Sequence, residues 1–304
     1  MALQRRTSYI RGIVALLCVA ALALTMLSGC EQVVDADDIP YVERIVVRGK
    51  LRVGQEITNI MITRTLPLNE SFTAEKAALT DAVATITTTG GLGFYPDSTY
   101  TLVYRGNGMF DVPGLVVVSG ITYTLNVAWR GKSVHASTTA PMMLEEDIYK
   151  VTIEKFRDIG WNGLFEVIVP TVTFATHGNP VYLMTFDLLY GGSTNEPQYP
   201  MPIRSDQRIV RTSDTAADGL IHLRGSADNQ YYGREDVPVT GLSMKLYSFD
   251  YPFYEYYETE RQGDFDINSD IFGSSGGQTK WNVEGDGFGM FIAESVVQKV
   301  VPVV

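Results

Sequence analysis

The chain has 304 residues, of which 35 are acidic and 24 basic, for a net charge of −11. That balance argues against nucleic-acid binding, which needs a basic face, and it disfavours adhesion to anionic lipid by charge alone. Both cysteines, Cys18 and Cys30, lie near the amino end, so cysteine catalysis and cysteine-ligated metals have no place in the body of the chain.

Residues 1–29 read as a secretory signal. Arg5, Arg6 and Arg11 form a basic start, residues 13–26 run apolar, and Leu27, Ser28 and Gly29 make a small-residue exit. The apolar run is shorter than the roughly 20 residues that span a bilayer as a helix. The exit into Cys30 resembles the lipobox of bacterial lipoproteins, with cleavage between Gly29 and Cys30. The resemblance implies a diacylglyceryl group on the Cys30 sulfur and acylation of the new amino end. Two or more acyl chains make release from a membrane slow. Removing residues 1–29 takes away three arginines and no acid, which lowers the net charge from −11 to −14. Residues 30–40, "CEQVVDADDIP", then form an acidic tether carrying Glu31, Asp35, Asp37 and Asp38. Glu31 is not the aspartate that resembles an inner-membrane retention signal. An acidic stretch after the cysteine resembles the surface-export signal of Bacteroidetes-type lipoproteins. The expected location is the outer membrane, lipid-anchored and facing outside.

The remainder is rich in Val, Ile, Thr, Tyr and Phe, with turn residues at short intervals. That composition predicts an all-β chain. Strands are expected over 44–53, 56–65 and 82–88, with a helical turn in "TAEKAAL" capped by Thr73. A hairpin is expected across Asn107-Gly108, the dipeptide suited to a tight primed turn. In "ITYTLNVAWRG", Tyr123, Leu125, Val127 and Trp129 alternate with smaller or polar residues, as in a half-buried strand. Pro141 and the acids Glu145, Glu146 and Asp147 break the pattern and suggest a junction. Two β-sandwich domains follow from this: residues 41–140, of immunoglobulin- or transthyretin-like size, and residues 148–304. In the second, strands are expected over 149–156, 164–175, 181–189, 220–224 and 240–249, with a long irregular connection over 191–219. One short Tyr-rich helix is expected in "FDYPFYEYYETERQG", opened by Asp250 and Pro252 and ended by Gly263.

Few motifs carry chemistry. Phe253, Tyr256 and Tyr257 share one helix face, and with Tyr251 and Tyr254 they make a dense aromatic cluster. Tyr251, Tyr254 and Tyr257 are the candidates for a stacking surface, although a stripe at helical spacing more often faces a core. In "GDFDINSDIFG", Asp264, Asp266, Asn268 and Asp270 offer oxygens at alternate positions, as a calcium loop does. The EF-hand pattern fails there, because Ser269 and Ser275 stand where its Gly and Glu belong. "GSSGG" at 273–277 matches a nucleophile elbow only formally, since His135, His177 and His222 all precede Ser275. No other cofactor is expected, and no catalytic residue: the chain reads as a non-enzyme.

Several segments together resemble a family of bacterial lipoproteins described as domain of unknown function 4249. They are "VVRGKL", "ITNIMITRTLPL", "AVATIT", "GNGMF" and "ITYTLNV", then "LYSFDYPFYEYYETERQ". "NVEGDGFGMF" resembles the family's closing Gly-rich strand, usually Glu-Gly-Gly-x-Gly-x-Phe, with Asp286 in place of one Gly. The resemblance implies an outer-membrane protein found beside TonB-dependent transporter barrels, hence a binding or accessory role. The alternative is a structural or adhesive, pilus-related lipoprotein, with residues 295–304 as an exchangeable strand.

Overall fold

Alternating apolar and polar residues become strand nearly everywhere that the pattern runs for five residues or more. The structure is a computed structural model and describes residues 41–90, 97–144, 149–160, 163–176, 178–190, 209–225, 227–228, 239–265 and 279–302. The signal, Gly29, Cys30 and the acidic tether lie outside the described residues. Val42–Leu66 and Phe72–Val304 fall in one unit. Met1–Tyr41 and Pro67–Ser71 fall in a second, where the Glu70 N–H closes a turn on the Pro67 carbonyl at 3.0 Å.

The first half of the chain supplies β1 (Ile45–Arg52), β2 (Glu56–Arg64), α1 (Ala74–Ala77), β3 (Val83–Thr89), β4 (Ser98–Thr101), β5 (Val103–Gly106), β6 (Met109–Val116), β7 (Thr122–Trp129) and β8 (Lys132–Thr139). The second half adds β9 (Tyr149–Gly160), β10 (Gly163–Ala175), β11 (Val181–Tyr190), β12 (Ile209–Arg211), β13 (Leu220–Arg224), β14 (Ala227–Asp228) and β15 (Val239–Phe249). It closes with α2 (Tyr251–Phe265), β16 (Glu284–Gly285) and β17 (Gly287–Pro302). The fold is all-β, and among the described residues α2 is the one helix longer than a turn. Local signals act as expected. Thr73 accepts the Lys76 N–H to cap α1, and Asn107 and Gly108 both take positive φ, at 51° and 76°, as a primed hairpin turn requires.

An eight-stranded sheet runs in the order β12-β11-β15-β17-β1-β2-β6-β5. A five-stranded sheet, β16-β8-β7-β3-β4, covers one face of its N-terminal part. Between them lies a core that includes Ile45, Ile60, Phe110, Ile86, Tyr123 and Leu125. The chain seals both sides of this sandwich by changing sheets. β4 passes into β5 at buried Leu102, and β16 passes into β17 at Asp286. Asp286 fits that corner without being glycine. Its N–H donates to the Ser133 carbonyl at 2.8 Å, and its carboxylate accepts the Ser133 N–H at 2.9 Å. A four-stranded sheet of β9, β10, β13 and β14 covers the C-terminal part, over Ile168, Tyr182, Met184, Leu223 and Leu242.

The junction expected at 138–147 therefore divides two cores but not two sheets. The reason is β17, which is 16 residues long. Its first half pairs in parallel with β1, from Gly287↔Ile45 to Glu294↔Arg52. Its second half pairs antiparallel with β15, from Glu294↔Phe249 to Pro302↔Gly241. One strand thus splices residues from both expected domains into one sheet. Close approach to β1 requires glycine at Gly287 and Gly289. A Cβ at Gly287 would run into the Ile45 carbonyl oxygen, and one at Gly289 into the Val47 carbonyl oxygen. Gly289 also sits at φ 135°, a conformation that side chains rarely take.

At the splice stands Glu294, only 1% exposed. A buried carboxylate costs several kcal/mol unless it is paired. Its Oε1 accepts from Arg52 Nη2 at 2.6 Å and Nε at 2.7 Å, with Lys50 Nζ 3.3 Å away. The Arg52 side chain is 35% exposed and that of Lys50 54%, so either cation can recover water if the acid is lost. The acid cannot do so if Arg52 is lost. Arg52→Ala is therefore expected to cost about 3 kcal/mol, and Lys50→Ala less than about 1 kcal/mol. Urea unfolding of the two variants measures the difference, and equal losses would refute the asymmetry.

Candidate functional site

The aromatic helix is where sequence and structure both concentrate unusual residues. It follows β15 without a loop, because Asp250 both ends the strand and starts the helix. One carboxylate oxygen of Asp250 accepts the Tyr251 N–H at 2.8 Å. The other accepts the Thr139 N–H at 2.8 Å and the Thr138 hydroxyl at 3.3 Å. Thr138 Oγ1 in turn accepts the Ala293 N–H at 2.9 Å. The start of α2 is thereby tied to the end of β8 and the middle of β17.

Helix α2 lies on the outer face of the eight-stranded sheet, over Val181, Ile209, Phe249, Met290 and Ile292. Phe253, Tyr254, Tyr256 and Tyr257 all pack against that group. Phe253 stacks on Phe249 with ring centroids 3.8 Å apart and lies 6.1 Å from the Tyr257 ring. Tyr256 meets Trp281 at 5.4 Å, and Trp281 meets Phe288 at 5.8 Å. Of the three candidate stacking residues, Tyr257 and Tyr254 are half-buried, and Tyr251 is 43% exposed. Tyr254 carries the Arg211 guanidinium at 4.9 Å from its ring centre and lies 6.3 Å from Tyr251. Most of the aromatic cluster is therefore a third apolar layer. Tyr251 and Trp281, the latter 40% exposed, are the parts that face water.

The helix does not stop at Gly263. It runs to Phe265, since one interior glycine costs only about 1 kcal/mol and the hydrogen-bonded ladder continues past it. Asp264 accordingly belongs to the last helical turn and not to a loop. Asp266, Asn268 and Asp270 lie outside the described residues, as do Ser275 and His177. Among the described residues, no group of three or more His, Cys, Asp or Glu is placed to hold a metal ion.

One polar chain went unnoticed in the sequence. His222 on β13 faces Thr173 on β10, with Nδ1 3.1 Å from the hydroxyl, and its Nε2 lies 2.8 Å from Asp218 Oδ2. The carboxylate can only accept, so Nε2 carries a proton toward Asp218, while the Thr173 hydroxyl can either donate to Nδ1 or accept from it. The order acid, imidazole, hydroxyl resembles a nucleophile relay. Thr173, however, sits mid-strand, paired with Lys150 on one side and His222 on the other. Backbone N–H groups there serve the ladder and are not gathered around a developing oxyanion. The chain pins a sheet face instead. The i, i+4 spacing of Asp218 and His222 across a turn was its one visible signal. His135 lies 3.4 Å from Glu284.

Comparison with known families decides the relationship. A family model described as a domain of unknown function, DUF4249, matches residues 31–300. The chain belongs to the DUF4249 family. The match spans all three sheets and α2, so the Gly-rich β17 and the aromatic helix are parts of the DUF4249 region. No curated protein matches the chain.

Two outcomes follow. Phe253→Ala should lower stability by about 2 kcal/mol or more, as loss of a packed aromatic does, whereas Tyr251→Ala should stay within about 0.5 kcal/mol; thermal unfolding compares them. The Asp218 carboxyl is held below its ordinary value of 3.8, first by the Leu220 N–H and then by His222. A depressed carboxylate stabilises the fold above its ordinary value and loses that contribution as pH falls through the depressed one. An NMR titration of Asp218 should show a midpoint below 3.8, and His222→Phe should move it upward. No movement would show that the imidazole has no part in the shift.

Proposed function

We propose that the chain is a lipid-anchored binding or accessory protein of the outer membrane, facing outside and working beside a TonB-dependent transporter barrel. The observation that carries this reading is the run Leu27-Ser28-Gly29-Cys30 at the end of a basic-then-apolar leader. Membership in the DUF4249 family is consistent with it. The physical advantage is confinement. Acyl chains on Cys30 hold the folded body at one surface and raise its effective concentration near a membrane partner. The acidic residues 31–38 then act as a solvated spacer before the first strand.

The adhesive alternative needs residues 295–304 as a strand that can be handed to a neighbour. Residues 295–302 lie along β15 and continue without a break from the half of β17 paired to β1. Withdrawing them would dismantle the central sheet, so this alternative has less support. The transporter reading is tested by two measurements on one preparation. Cys30→Ser should move the protein from the membrane to the soluble fraction, and the parent's intact mass should include acyl chains. Gentle extraction of the parent should co-purify a barrel; recovery of fibres without a partner would sink the accessory role.

A further inference from the structure

One end of the N-terminal sandwich carries exposed apolar side chains where the chain enters from the tether. Val42 is 63% exposed and Phe72 65%, among the most exposed large apolar residues described. Hydrogen bonds place both at the same end. The Thr65 hydroxyl donates to the Val42 carbonyl at 3.4 Å, and the Thr65 N–H donates to the Arg44 carbonyl at 3.0 Å. Phe72 immediately precedes the Thr73 cap of α1, and α1 is held to β2 by Arg64 Nη2 on the Lys76 carbonyl at 3.2 Å. The β7–β8 turn joins this end through Lys132 Nζ on the Glu43 carbonyl, 2.6 Å away.

The charge here departs from the rest of the protein. Arg44, Arg64, Lys76, Arg130 and Lys132 gather against Glu43, Glu75, Asp81 and Asp286. In a chain whose acids outnumber its bases by 35 to 24, cations are thus prominent beside Val42 and Phe72. Among the described residues, Arg44 and Lys76 are exposed and their side chains form no ion pair. Singly exposed apolar groups with two such cations close by in the chain match the interfacial layer of a lipid bilayer, where apolar tips enter and cations meet phosphates. The position matches as well. Val42 comes twelve positions after Cys30, at most about 40 Å of chain, so this end is the described part held nearest the anchor along the chain.

We infer that this end of the sandwich rests on the lipid surface, with Val42 and Phe72 in the interfacial layer and Arg44 and Lys76 on lipid phosphates. The inference rests on the reading of Cys30 as the acylated residue, because the anchor makes so small a contact effectively intramolecular. It also resolves a conflict with net charge. The acidic body disfavours anionic lipid, whereas Arg44 and Lys76 supply local cations for phosphates.

The test uses the full chain, exported and acylated, in vesicles of phosphatidylethanolamine and phosphatidylglycerol. A polarity-sensitive fluorophore is placed at Phe72→Cys and, as control, at Met143→Cys. Met143 is 58% exposed and lies near Gly54, at the other end of β1. The expected result is a blue shift at position 72, with quenching by nitroxide-labelled lipid headgroups, and neither effect at position 143. A label at position 72 that reports water overturns the inference. A blue shift there without nitroxide quenching also overturns it, in favour of a protein partner. The intact mass of the same sample reports acylation of Cys30 separately, so failure of the anchor and failure of the contact are distinguishable.

Discussion

One strand has to satisfy two partners, and the architecture follows from that requirement. β17 runs parallel to β1 along its first half and antiparallel to β15 along its second. Neither sandwich has a complete sheet without it. The constraint falls hardest at the start, where β17 must come so close to β1 that Gly287 and Gly289 can carry no side chain. It is also severe at the centre, where Glu294 gives up water and takes Arg52 as its main partner. A parallel pairing between strands some 240 positions apart closes the largest strand-to-strand loop among the described residues, and loop closure opposes it until the contacts are made.

The side of β17 left open by β15 is finished with side chains. Asn282 acts there as a substitute strand: its amide accepts the Phe291 N–H at 2.8 Å and donates to the Phe291 carbonyl at 2.6 Å. Thr138 serves the Ala293 N–H in the same way, at 2.9 Å. These bonds answer the backbone groups that a missing neighbour would leave unpaired. They also fix where α2 can begin, because the same Thr138 hydroxyl holds Asp250. The aromatic layer beneath the helix is thus placed by polar contacts at its first residue and by apolar burial along its length.

This arrangement separates structure from surface. Phe253, Tyr256 and Tyr257 are committed to packing, which removes most of the aromatic cluster from consideration as a ligand platform. What remains open lies at the ends and edges: Tyr251 and Trp281 beside the helix, and Val42 and Phe72 where the chain enters.

The sequence by itself determined most of the longer strands, the inward face of β7 and the short turns, but not β8, β14 or β16, nor β12, which falls inside the connection expected to be irregular over 191–219. Period-two alternation in β7, the Asn107-Gly108 hairpin, the Thr73 cap and the Asp250-Pro252 helix start are all short-range effects, settled within a few residues of chain. The resemblance of residues 27–30 to a lipobox is likewise local and needs no fold to be read. The tertiary structure alone decided that two apparent domains share a sheet. It also turned Asp264 from loop to helix, and it brought Thr173, His222 and Asp218 into one chain of hydrogen bonds. It also paired the buried Glu294 with Arg52, which nothing near Glu294 in the chain names as a partner. Pairing between distant strands depends on summed burial and loop closure over the whole chain, and no local pattern records that sum.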